Sequence, residues 1–354
     1  MFIGIRDILF ARGRFTLISA VIALMSFMVV ALSALTNGLQ GQSISAVERL
    51  PGQSVVLQSP AQGQSPSLSE STLDADAVSQ VRATDAQTAR LGVATTRLGH
   101  DGASAALSVF GADPALMPHA EEGAQPGDGE ILLSQSQADE LGVAVGDTVT
   151  AGADTLRVSG LADTLRVSGL GDAGSFAHTP VGYTTVATWK TLSHDQGTSA
   201  VVVFGQAPAV DGTTVLAMSS ITDAVPGYGS EHGSLLAMQL MLLAISALVV
   251  GAFFTVWTQQ RRGDLAVVRA MGADRSYLLR DGLGQAVVVL VAGQAVGVTA
   301  GVLLALAASG TVPIIVTAAG VLVPVLGMTG LGLLGALLAV LSVTKVDPLV
   351  AMQR

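Results

Sequence analysis

Four segments of this chain carry no Asp, Glu, Lys or Arg over a length that only a membrane tolerates: residues 15–37, 234–258, 283–308 and 319–343. A helix crosses the hydrocarbon core in about 20 residues, so each segment is read as a transmembrane helix. The composition agrees, since half of the 354 residues are hydrophobic and only 12% are charged, against about 25% in a soluble domain. Pro324 falls early in the fourth segment, where it starts or kinks a helix that still spans. A cleavable signal peptide is the competing reading of the first segment, because Arg6, Arg12 and Arg14 precede an apolar stretch. That stretch is longer than the 7–15 residues of a signal core, so the helix is expected to be retained.

The charges that remain are sorted by position. Residues 38–233 hold seven basic and twenty-one acidic side chains, a net −14, while the rest of the chain carries +5. Its ten basic residues cluster in 1–14, 259–282 and 344–354. By the positive-inside rule those three segments are cytoplasmic and the acidic region lies outside. An even number of crossings with both termini inside satisfies the same arrangement. Residues 1–14 mix apolar and basic positions at helical spacing, as in a short amphipathic helix lying on the inner surface. Residues 309–318 form the second outer loop.

The 38–233 region is long enough to fold around its own core and reads as mixed α and β. Strand patterns fall at 54–57, 105–110, 129–133, 148–150, 155–159 and 200–204, and helical ones at 74–83 and 134–141. The nonapeptide ADTLRVSGL at 153–161 recurs immediately at 162–170, too short a repeat for a solenoid and expected to form an extended hairpin.

Several chemistries are excluded. Cysteine is absent, which removes disulfides, thiolate metal sites and thiol nucleophiles together. A phosphate-cradling P-loop needs Lys after Gly, and Lys190 and Lys345, the two lysines, follow Trp and Thr. The five histidines (His100, His119, His178, His194 and His232) are scattered, with no H-E-x-x-H metal motif, so no intrinsic metal or cofactor is expected. The acidic balance argues against a nucleic-acid partner.

One charged block remains, QQRRGDLAVVRAMGADRSYLLRDG at 259–282. Its run Arg261, Arg262, Asp264, Leu265, Ala266, Val267, Val268, Arg269, Ala270, Met271, Gly272, Ala273 resembles the signature after the second transmembrane helix of FtsX/MacB-type ABC permeases, with Asp264 where glutamate is usual. The order of one span, a large outer domain and three further spans is similar to that family, as is the ending Asp347, Pro348, Leu349, Ala351. Residues 130–134 (EILLS) and 141–147 (LGVAVGD) are similar to its small β-rich module.

The resemblance implies a permease whose ATP hydrolysis sits on a separate ATPase subunit, two copies of which join a permease homodimer in the plasma membrane. It also implies that the segment after the second span docks on that ATPase, through Arg261, Arg262, Asp264, Arg269, Met271 and Arg275. Gly293, Gly297 and Gly301 form a double G-x-x-x-G suited to close helix packing, within one protomer or at a dimer seam.

For the substrate, the junction entering the second span brings Tyr228, Glu231, His232, Met238 and Met241 together in sequence, all residue types that ligate or contact haem. Length and topology resemble the haem-exporting HrtB-type permeases of Gram-positive bacteria, which implies haem as the transported ligand. The alternatives are a MacB-like exporter of peptides or antibiotics, and a non-transporting mechanotransmitter that acts on an extracellular partner.

Overall fold

The computed structural model describes residues 12–152, 163–194, 197–260, 263, 267–268, 271–309 and 311–344. Two compact units emerge, one of Leu39–His232 and one of Met1–Gly38 with Gly233–Arg354. Helix α1 (Arg12–Glu48) leads from the second unit into the first, and a later helix that begins at Tyr228 leads back.

The Leu39–His232 unit is organised by one long strand. Strand β1 (Ser54–Gln58) and helix α2 (Ala75–Arg82) are followed by β2 (Thr88–His100) and β3 (Ala103–Ala112), which pair from Leu91 with Ala112 to His100 with Ala103. Then come β4 (Glu122–Gly123), β5 (Glu130–Leu133), α3 (Gln135–Leu141), β6 (Thr148–Gly152), β7 (Asp163–Leu170), β8 (Ser175–Phe176), β9 (Thr179–Thr184), α4 (Val186–Ser193), β10 (Ala200–Val203) and β11 (Thr213–Ala217). The opposite edge of β2 serves two partners. Its first residues pair with β10, as in Leu91 with Ala200, and its last with β6, as in Leu98 with Ala151. From β2 the pairing runs through β3, β9, β5, β7 and β6 back to β2, closing a six-stranded ring. Closure leaves those strands without a free edge.

Leu98, Leu107, Val109, Ile131, Leu133, Val149 and Val167 of the ring form one core with Ala138 and Leu141 of α3 and Trp189 of α4. Gly92 and Gly111 are paired across β2 and β3, and a side chain at either would collide with the Trp189 indole. The other half of β2 joins an antiparallel sheet ordered β11-β1-β10-β2. Val55, Leu57 and Val202 face the larger core on one side, while Val56, Val201 and Val203 meet Val81 of α2 on the other. Covering on both faces explains the unbroken apolar run of β1.

Local rules set the helix starts. Asp74 caps α2 by accepting from Ala77 N–H at 2.7 Å, Ser134 and Gln137 form a capping box on α3, and Gly142 ends α3 in the left-handed region. Segment 155–159 and the first copy of the tandem repeat lie outside the described residues, while Asp163–Leu170 of the second copy is β7.

The membrane unit contains the first part of α1 with α5 (Tyr228–Gln260), α6 (Arg275–Ala308) and α7 (Ala318–Thr344). All four helices are long and apolar enough to cross a bilayer. Helix α6 starts earlier than its apolar segment and so takes in Arg280 and Asp281. Asp281 is buried and accepts from Gln285 Nε2 at 3.0 Å, and Gln285 Oε1 accepts from Trp257 Nε1 at 3.3 Å. The reading of spans free of ionisable groups therefore holds for residues 283–308 and not for the whole helix.

Small residues set the close approaches. A Cβ on Gly293 would lie 2.8 Å from Ile22, one on Gly297 would overlap the Ala23 carbonyl, and one on Gly301 would lie 3.1 Å from Val30. This stripe of α6 thus rests against α1 of the same chain. Gly251 of α5 and Gly335 of α7 meet backbone to backbone. Between α7 and α6, Thr329 Oγ1 donates to Gln294 Oε1 at 2.9 Å.

Candidate functional site

Helix α5 begins where Gly227, at φ +78, turns the chain out of a short 3-10 segment, Met218–Ala224. Its first turn carries Glu231, favoured there by the positive end of the helix dipole. Tyr228 and His232 are one turn apart, so their rings stack, with centroids 5.5 Å apart and planes inclined by 22°. The last turns of α1 supply Gln40 and Ser43. Gln40 Nε2 donates to Tyr228 Oη at 2.9 Å and to His232 Nδ1 at 2.8 Å. With Gln40 as donor, Nδ1 is the acceptor and Nε2 carries the hydrogen, so the Nδ1 lone pair of His232 is engaged by Gln40.

Glu231 is placed differently. Its Oε2 lies 2.9 Å from His178 Nε2, and the same nitrogen is 3.0 Å from Ser43 Oγ. An ionised carboxylate only accepts, so His178 Nε2 is the donor. Oε1 points toward the backbone at Gly227, 3.8 Å from where a Cβ there would sit. Glu231 is thus held through Oε2 by His178.

His178 reaches this position from the β8–β9 hairpin, which lies against α1. Ala177 N–H donates to Ser43 O at 2.9 Å, His178 N–H to Gln42 O at 3.1 Å, and Ser175 N–H to Ser45 Oγ at 2.9 Å. Asp172, just before the hairpin, pairs with Arg49 at 2.7 Å. The hydrogen bond from Arg49 holds the Asp172 carboxyl below the usual carboxylate range and raises the guanidinium in turn. Nearby Tyr183 is pushed upward by burial.

The structure thus gathers Tyr228, Glu231 and His232 into one polar cluster. Met238 and Met241 lie further along α5 and are exposed, Met238 two turns from Glu231 on nearly the same face. Gln40, Ser43 and His178 belong to the cluster although the sequence does not single them out. They lie far from Glu231 in the chain, and no local spacing signals a hairpin that returns to a distant helix. Among the described residues no group of three or more His, Asp or Glu side chains is arranged to hold a metal ion.

Of the residues expected to meet an ATPase, Arg261, Arg262, Asp264, Arg269 and the side chain of Arg275 lie outside the described residues. Met271 is 76% exposed beside Gly272, whose φ of +97 makes the turn ahead of α6.

Residues 15–222 match the family of the MacB-like periplasmic core domain, and residues 236–348 match the FtsX-like permease C-terminal family. The putative hemin transport system permease protein HrtB of Staphylococcus haemolyticus is 25% identical, over 98% of this chain and 97% of its own length. An uncharacterized ABC transporter permease of Mycobacterium bovis, Mb2592, is also 25% identical, over 99% of both chains. The crystal structure of the periplasmic region of MacB from Actinobacillus actinomycetemcomitans aligns with 49% of this chain and 92% of its own, at a TM-score of 0.36 and 9% identity. With one model of the family matching more than half of the chain and a second most of the remainder, this protein belongs to the FtsX/MacB-type ABC transporter permeases.

Proposed function

We propose that the chain is the permease subunit of an ABC efflux pump that exports haem from the membrane, driven by a separate ATPase. The observation that carries this reading is the end-to-end match to a permease named for hemin transport. The cluster at the head of α5 supports it. A carboxylate at the first turn of a membrane helix sits at a depth where an ionised group is tolerated far better than at the bilayer centre. There a planar amphipathic ligand keeps its ring in hydrocarbon and its propionates in water.

Glu231 is the preferred axial ligand through Oε1, with Tyr228 the second oxygen available. Met238 and Met241 face the macrocycle. His232 is the weaker choice, because Gln40 occupies its Nδ1. In a homodimer two copies of this junction would sandwich one ring, with both termini of each chain in the cytoplasm. ATP would be bound and hydrolysed by two ATPase subunits docked on residues 259–282.

The second reading, a MacB-like exporter of peptides or antibiotics, is favoured by the match of residues 15–222 to the MacB-like core. Titration of the purified chain with haem, followed by Soret absorbance, separates the two. A saturable shift that weakens in Glu231→Ala and Tyr228→Phe and persists in His232→Ala is expected. No saturable shift would remove haem as the substrate, and a shift lost only in His232→Ala would move the ligand to His232.

A further inference from the structure

We infer that His178 is the positioning residue of this site, fixing the Glu231 carboxylate through Oε2 so that Oε1 is the oxygen left to ligate haem iron. The inference rests on the haem reading above and adds to it a residue from a different part of the chain. Its first support is backbone conformation. Strand pairs Ser175 with Pro180 and Phe176 with Thr179 leave Ala177 and His178 as a two-residue turn. Both lie in the left-handed region, at φ +46 and +64. A turn with positive φ at both central positions favours Asn-Gly, and each non-glycine residue placed there costs roughly 1–2 kcal/mol. Histidine is among the non-glycine residues that tolerate positive φ, so the strain of the turn falls mainly on Ala177.

What offsets that cost is the set of backbone bonds from the turn to Gln42 and Ser43, and what those bonds deliver is the imidazole at Glu231. Its worth is not stability. The two side chains are 39% and 47% exposed, and an ion pair that open contributes about 0–1 kcal/mol. Carboxylates that bind metal ions are, however, oriented by a donor on the oxygen that does not bind, and losing such a donor weakens the metal by about 10- to 100-fold. The arrangement of Nε2, Oε2 and Oε1 has that form.

The test is a haem titration of the purified full-length chain in nanodiscs, with wild type, His178→Asn, His178→Gln and Glu231→Ala compared by Soret absorbance and by thermal melting. Asn keeps the tolerance for positive φ but is too short to reach Glu231, whereas Gln carries an amide donor at about the reach of Nε2. The expected result is about tenfold weaker binding in His178→Asn, an unmoved Soret maximum, binding within about threefold of wild type in His178→Gln, and closely similar melting. Wild-type affinity in His178→Asn would overturn the positioning role while leaving the haem reading intact. A Soret maximum that moves in His178→Asn and stays in Glu231→Ala would make His178 the ligand and overturn the inference in another way. Absence of a saturable shift in wild type would overturn the haem reading, and this inference with it.

Discussion

Ser33 Oγ donates a 2.6 Å hydrogen bond to the carbonyl oxygen of Gly320, the acceptor that Pro324, four residues further along α7, has no N–H to satisfy. Proline inside a membrane helix is tolerated where a neighbouring hydroxyl takes up the freed carbonyl, and α1 supplies that hydroxyl to α7. The bond explains how an apolar helix interrupted by proline continues from Ala318 to Thr344.

Ser33→Ala should therefore destabilise the chain by about 1 kcal/mol, the usual worth of an interhelical hydrogen bond in a membrane. Pro324→Ala restores the missing N–H, so the cost of Ser33→Ala should shrink in that background. Thermal melts of the four members of the cycle in detergent measure the coupling. Equal costs in both backgrounds would mean that the hydroxyl does not serve the proline.

A second expectation concerns pH. Burial opposes ionisation of Asp113, but the side chain and backbone N–H of Arg90 outweigh it, and the carboxyl is held below its ordinary value of 3.8. A folded-state value below the unfolded one gives stability that is complete above the unfolded value and is lost as pH falls through the folded one. Asp113→Asn should thus be less stable than wild type at neutral pH by about 1–2 kcal/mol. The gap should close in melts recorded well below pH 3.8. A gap that stayed constant down to strong acid would assign the loss to packing and not to the charge.

The membrane helices were the most legible part of the sequence, because burial in lipid demands long charge-free runs and nothing else in the chain imitates them. The helical patterns read at 74–83 and 134–141 correspond to α2 and α3, whose starts the structure shows capped by Asp74 and Ser134. Strand β2 was missed. Its interior Gly92 reads as a break in sequence and is explained only once Trp189, from a helix far downstream, lies across it. The site was half legible for a related reason. Tyr228, Glu231 and His232 are neighbours on one helix turn, whereas Gln40, Ser43 and His178 arrive through tertiary packing that no local period encodes.

The coupling segment offers a third test. Met271 is exposed beside the left-handed Gly272, as an apolar side chain that inserts into a partner's groove would be. Met271→Asp and Arg269→Glu should each weaken co-purification of the ATPase subunit by about tenfold or more, as loss of an interface anchor does, and leave insertion in the membrane unchanged. Full assembly and transport by both variants would place the coupling contact elsewhere.

The central claim, that this permease hands haem to the outside with energy from a separate subunit, is met most directly by ATP turnover in lipid nanodiscs. The chain alone, lacking a P-loop, should hydrolyse nothing. With its ATPase subunit, turnover should rise on addition of haem, and Glu231→Ala should abolish the rise while keeping the basal rate. Turnover that ignores saturating haem in the wild-type complex but responds to a peptide or antibiotic would contradict the account.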